Sequence, residues 1–124
     1  MSQSMTIARL NELLAAFNDH QPEKVASFFA EDGVMLAAAG PEPVGATLKG
    51  PEAIKAALTK RFAASPDLQW TEARSWLLGD KGLTEWRVRG TAPDGTAIDT
   101  LGCDLWEFAG DKVVKKDTYY KQKT

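Results

Sequence analysis

From Asp67 onward the chain is a series of short segments, DLQWTEARSWLL, GLTEWRVRGT, TAIDTLGCDLWEF and KVVKKDTYYK, separated only by GDKG, APDG and AGD. The segments are rich in aromatic and β-branched residues, and the separators carry the glycines and aspartates that hairpin turns require. Connections this short allow neighbouring strands to pair only in opposite directions. The second half therefore reads as a four-strand antiparallel meander.

The first half has a different period. Ile7, Leu10, Leu13, Leu14 and Phe17 recur at helical spacing and predict an amphipathic helix over about residues 4–18. Pro22 suits the first turn of a second, shorter helix with Val25, Phe28 and Phe29 facing inward, ended by Glu31-Asp32-Gly33. GVMLAAA then reads as a short strand, and a further short strand is expected at Val44–Lys49. Gly50-Pro51-Glu52 opens a third helix with Ile54, Leu58 and Phe62 as its apolar stripe, and Ser65-Pro66 stops it. Helices segregated from an antiparallel sheet make the fold α+β rather than doubly wound.

With 124 residues, 44% apolar and 26% charged, the chain has the size and composition of one globular domain, 1–124, with no linker or repeat. A net charge of -2 gives no reason to expect nucleic acid, and the lysines near the C-terminus read as a solvated strand end. One cysteine excludes an internal disulfide, and with a single histidine it leaves no Cys/His zinc site. No P-loop, dinucleotide fingerprint or Ser-His-Asp arrangement is present, so no cofactor and no metal are expected. The N-terminal stretch has no basic region followed by an apolar one, and no segment approaches 18 apolar residues. The expectation is a cytoplasmic protein with no membrane span.

One acid stands out. In GCDLWEF, strand alternation puts Gly102, Asp104, Trp106 and Phe108 on one face and Cys103, Leu105 and Glu107 on the other. If the Trp/Phe face is interior, a carboxylate has been placed inside, which is unfavourable unless it is partnered or neutral. On GLTEWRVRG, Trp86 shares parity with Thr84 and Val88. Trp70 and Trp76 share parity with Glu72 and Arg74, and their side of the sheet stays open. His20 is expected in an exposed loop, Asp19 as a local cap of the second helix, Asp99 as exposed, and Cys103 as a packing residue without a histidine to activate it.

The ordered motifs LLAAFNDHQPEKVASFFAEDGVML, LKGPEAIKAAL, TEWRVRGTAPDG and GCDLWEFAGDKVVKKDTYY resemble the SnoaL-like branch of the nuclear transport factor 2-like superfamily. The resemblance implies three N-terminal helices packed on a strongly curved antiparallel or mixed sheet. That sheet forms a cone-shaped half-barrel around an internal pocket, commonly in a homodimer formed through its outer face. Asp104-Leu105-Trp106-Glu107-Phe108 resembles the Asp-x-aromatic-x-Phe motif of ketosteroid isomerases, in which the aspartate donates a hydrogen bond to a developing oxyanion. The positions of that family's general base and oxyanion tyrosine hold Ala37 and Leu13 here, so its full catalytic set is absent.

By the family's register Lys116, Thr118 and Tyr120 face the cavity with Asp104, and Tyr119 faces outward. Asp104 and Tyr120, the latter orienting the former, are the candidate catalytic residues. Phe17, Trp86, Val88, Trp106, Lys116 and Thr118 are the candidate ligand-binding residues. Three functions follow from this resemblance. The first is cofactor-independent proton transfer on a small apolar molecule, of isomerase, cyclase or dehydratase type. The others are non-catalytic binding in the same cavity, and a dimeric interaction module.

Overall fold

Helix α1 (Ile7–Asn18) starts after Thr6, whose hydroxyl accepts a hydrogen bond from the backbone N–H of Arg9 at 3.0 Å. Its buried residues are Leu10, Leu13, Ala16 and Phe17, one stripe of the helix. Helix α2 (Pro22–Ser27) has proline in its first turn but no side-chain cap. Asp19 terminates α1 instead of capping α2, which corrects the sequence expectation. Helix α3 (Pro51–Ala64) buries Ile54, Leu58 and Phe62 as its spacing predicts. All three belong to the computed structural model, which describes residues 4–122; residues 1–3 and 123–124 of the expected domain lie outside the described residues. Among those described, no helix is long and apolar enough to cross a membrane.

The strands are β1 (Phe29–Leu36), β2 (Thr47–Lys49), β3 (Gln69–Leu78), β4 (Lys81–Thr91), β5 (Ala97–Ala109) and β6 (Lys112–Tyr120). They form one open sheet in the order β2-β1-β6-β5-β4-β3. The meander β3-β4-β5-β6 is antiparallel throughout, while β1 joins β6 in parallel, so the sheet is mixed. Strand β1 starts earlier than GVMLAAA suggested. Phe28 ends α2 and Phe29 already pairs with Val113. Glu31-Asp32-Gly33 is an irregularity inside the strand, because the five steps from Phe29 to Val34 match only two on β6, from Val113 to Lys115.

A second irregularity decides which tryptophans point inward. Thr71 pairs with Arg87 and Arg74 with Glu85, so β3 carries one extra residue there, and Glu72 takes a positive φ of 55°. The extra residue inverts the alternation. Trp70, opposite buried Val88, packs against the core, whereas Trp76, of the same sequence parity, is 48% exposed on the other face.

The main core lies between the helices and the inner face of the sheet, where Leu10, Leu13 and Phe17 of α1 meet Trp106, Phe108 and Val113. The C-terminal end of α1 is tied to the edge strand β3 by polar groups. The Asn18 amide accepts from Trp70 N–H at 2.7 Å and donates to Trp70 C=O at 3.0 Å, as a neighbouring strand would. His20 is half-buried rather than exposed: its ring stacks on Phe62 with centroids 4.3 Å apart, and Nε2 lies 2.6 Å from the Leu68 carbonyl oxygen. Asp99, expected to be exposed, is also half-buried, and Arg87 grips it with two bonds of 2.6 and 2.7 Å. The hydrogen bond and charge of Asp99 make Arg87 harder to deprotonate.

Candidate functional site: a buried acid and ammonium inside the cone

Strand register sets one polar level across four strands. Ser75 faces Thr84, Thr84 faces Asp104, and Asp104 faces Thr118. On one side of this level Gly82, Trp106 and Lys116 lie in line, and on the other Trp86, Gly102 and Tyr120. Asp104 and Trp106 therefore do point inward, at 2% and 1% exposure.

Both carboxylate oxygens of Asp104 are bonded. Trp86 Nε1 donates to Oδ2 at 2.8 Å, and the Thr118 hydroxyl donates to Oδ1 at 2.7 Å. Lys116 Nζ sits 3.0 Å from the same Oδ1 and donates to the Thr118 hydroxyl at 2.8 Å. The ammonium also lies 5.1 Å from the ring centre of Phe17 and 5.9 Å from that of Trp106, both within cation–π range. An acid in a core is tolerable when it carries an opposite charge and directed donors, and Asp104 has both.

Gly102 makes the Trp86 bond possible. A Cβ there would fall 2.6 Å from Trp86 Cη2 and 2.6 Å from the Tyr119 carbonyl oxygen, so the indole lies flush over a residue with no side chain. A parallel pair of bonds runs on the other side of the level. Trp106 Nε1 donates to the Thr84 hydroxyl at 2.9 Å, and Ser75 Oγ lies 2.8 Å from the same oxygen.

Six of the eight residues singled out from the sequence are thus assembled: Asp104, Lys116, Thr118, Trp86, Trp106 and Phe17. Val88 is buried one level further along β4 with Leu68 and Trp86, in a second apolar cluster. Tyr120 is not among the groups bonded to Asp104. It is 41% exposed and meets the Trp86 ring edge-on at 5.5 Å, and the orienting role expected of it falls to Trp86 and Thr118. Thr84 and Ser75 were missed. The parity of Thr84 with Trp86 was visible, but the partnership of Ser75 depends on the β3 bulge.

A hollow would leave its walls accessible, yet the seven inward residues other than Tyr120 are at most 8% exposed. The space around Asp104 is filled in this structure. A cavity of about 760 Å³ is lined instead by residues of both strand parities, among them Glu85, Arg87, Leu101, Cys103 and Tyr119 as well as Trp86, Gly102 and Tyr120. Each of β4 and β5 gives it three consecutive residues, Glu85-Trp86-Arg87 and Leu101-Gly102-Cys103. Cys103, in that lining, has its thiol pKa raised by burial and by the nearby charges of Asp104, Glu85 and Asp117, which keeps it a thiol and fits its reading as a packing residue. Among the described residues no group of three or more His, Cys, Asp or Glu is placed to hold a metal.

Solved structures share the architecture. A hypothetical protein from Catenulispora acidiphila with a ketosteroid isomerase-like fold, in complex with trimethylamine, superposes with a TM-score of 0.83 at 22% identity, covering 94% of this chain and 88% of its own. A protein from Xanthomonas campestris pv. campestris described as a candidate polyketide cyclase gives 0.80 at 17% identity, with 92% and 88% covered. A candidate SnoaL-like polyketide cyclase from Jannaschia sp. CCS1 gives 0.73 at 15% identity, with 91% and 85% covered. At these identities the likeness establishes the fold alone. No curated protein matches the sequence significantly. The SnoaL-like domain model, however, matches residues 10–116, which takes in most of α1, the other two helices and the polar level except Thr118, and this chain belongs to that family.

Proposed function

We propose that the inner end of the cone is a small-molecule site and that Asp104 moves a proton there on an apolar carbonyl compound, in a cofactor-independent isomerase, cyclase or dehydratase type of reaction. The observation that carries this reading is the buried Asp104–Lys116 pair. Interior ion pairs add little stability compared with well-packed apolar residues, so one retained at the centre of a polar level, facing three aromatic rings, calls for a chemical use. Asp104 is the base for a proton next to a carbonyl, and Lys116 Nζ, 3.0 Å away, is the charge that meets the oxyanion formed. A ligand reaches them when Phe17 on α1, which lies against the ammonium, moves aside. The polyketide cyclase descriptions of two structural neighbours and the trimethylamine held by a third agree with a small-molecule role.

The test is exchange of the acidic C–H protons of apolar β-diketones in D2O, followed by NMR. Wild type should accelerate exchange and Asp104→Asn should lose about 10²-fold or more of that acceleration. Equal rates for the two proteins remove Asp104 from the chemistry.

A second reading rests on the opposite face. Trp76, Leu101, Leu105 and Tyr119 are 44–57% exposed on outward positions of β3, β5 and β6. An apolar set of this kind suits a homodimer formed through the outer sheet face. Light scattering should return twice the monomer mass, and Leu105→Asp should return the monomer; a wild-type monomer at high concentration removes this reading.

A further inference from the structure

We propose that Asp104, Thr118, Phe17 and Trp106 form a receptor for one alkylammonium ion, in which Lys116 is the resident occupant and which an external amine fills once the Lys116 side chain is removed. This rests on the reading of the cone's inner end as a ligand site, and it states which charge that end is built to hold. The surroundings of Lys116 Nζ are those of a cation site: one carboxylate oxygen at 3.0 Å, one hydroxyl at 2.8 Å, and two ring faces at 5.1 and 5.9 Å. Every wall is at most 8% exposed, so water competes little for the ion. Without the Lys116 side chain the box keeps one negative charge and two electron-rich faces. An anionic or neutral head group would leave Asp104 unpaired, whereas an ammonium restores each contact. Two cations cannot share the box, so a ligand amine and Lys116 exclude one another.

Lys116→Ala removes Cγ, Cδ, Cε and Nζ, the same heavy atoms as n-propylammonium. The experiment titrates wild type, Lys116→Ala and Lys116→Ala/Asp104→Asn with n-propylammonium chloride and with 1-propanol, at ionic strength matched with KCl, by calorimetry and thermal shift. Lys116→Ala should bind the amine saturably and about tenfold or more tighter than the alcohol, the ratio expected from a desolvated ring contact alone. Wild type should show no such site, and the double variant should lose the preference. Equal binding of amine and alcohol means an apolar hole, and a preference that survives Asp104→Asn places the cation elsewhere; either result overturns the proposal. If Lys116→Ala is unfolded by itself, refolding on addition of the amine and not of the alcohol supports the receptor, and refolding by both or by neither overturns it. Failure here alongside Asp104-dependent proton exchange in wild type removes the ammonium receptor and leaves the proton-transfer reading standing.

Discussion

Replacing Lys116 by Met keeps most of the stem and removes the ammonium, with its charge on Asp104 and its bond to Thr118, so it probes the buried pair. The side chains of Lys116 and Asp104 are 10% and 3% exposed, too little for solvent to screen them. With the ammonium gone, Asp104 keeps its bonds from Trp86 and Thr118 but has lost its counter-charge. Removing one partner of such a pair costs about 3–5 kcal/mol. For a chain of this length a loss of that size lowers Tm by about 12–20 °C. Asp104→Asn, which strands the ammonium instead, should fall in the same range. The double variant Lys116→Met/Asp104→Asn has no charge to strand, and it should lie within about 2 kcal/mol of wild type. Urea denaturation of all four proteins at pH 7 closes the cycle, with an expected coupling of about 3 kcal/mol or more. Single losses that simply add in the double variant, to within about 0.5 kcal/mol, would refute the idea that these two groups balance each other inside the core.

Gly102→Ala brings a methyl to 2.6 Å from both Trp86 Cη2 and the Tyr119 carbonyl, so it should cost about 1–3 kcal/mol and displace the Trp86 indole N–H resonance from its Asp104-bonded position. An unmoved resonance would mean that the indole does not rest on Gly102. The pKa of Asp67 is lowered from 3.8, first by the Thr91 hydroxyl at 2.7 Å and then by the Thr91 N–H at 2.9 Å. Because its folded value is depressed, the stabilisation is present above 3.8 and is lost as pH falls below it, so the stability gap between wild type and Asp67→Asn should close in acid; a gap independent of pH contradicts the bond. Glu72→Gly relieves a side chain held at positive φ and should be neutral or up to about 1 kcal/mol more stable in thermal unfolding, whereas a large loss would show that the Arg87–Glu72 pair holds the bulge.

The meander, the three helices and the inward side of GCDLWEF were legible because each rests on a local pattern, either a period of two, a helical stripe or a hairpin turn. Two kinds of feature were not. The register along β1 and β3 depends on bulges, and nothing in TEAR or AEDG announces an extra residue; EDG looks like a helix terminus as readily as a strand irregularity. Trp70 and Trp76 could therefore not be assigned by parity, which holds only between bulges. The partners of Asp104 were also only partly legible. Lys116 and Thr118 share its face, but that Lys116 would turn along Trp106 to pair with it, or that Trp86 rather than Tyr120 would supply the N–H, depends on Gly102 leaving room for an indole. His20 looked like a loop residue because its contacts, Phe62 and Leu68, lie more than 40 positions away.

The polar level behaves as two linked units and not as a set of independent bonds. Thr118 accepts from Lys116 and donates to Asp104 through one hydroxyl, and Thr84 serves both Trp106 and Ser75 through another. Each hydroxyl is thus the shared member of a three-group chain: removing Thr84 strips both Trp106 Nε1 and Ser75 Oγ of this partner, while removing Thr118 leaves Lys116 and Asp104 bonded directly to each other. Satisfaction is otherwise close to complete: the one buried side-chain polar atom without a bond among the described residues is Ser65 Oγ, at the end of α3. A cone filled only for stability would place apolar side chains at these positions, since an apolar set of the same volume avoids the desolvation of a carboxylate and an ammonium. Four strands instead contribute a donor or acceptor each at one height, with the charges at the β5–β6 end and the neutral hydroxyls at the β3–β4 end. The strand at the neutral end is the edge strand that Asn18 fastens to α1.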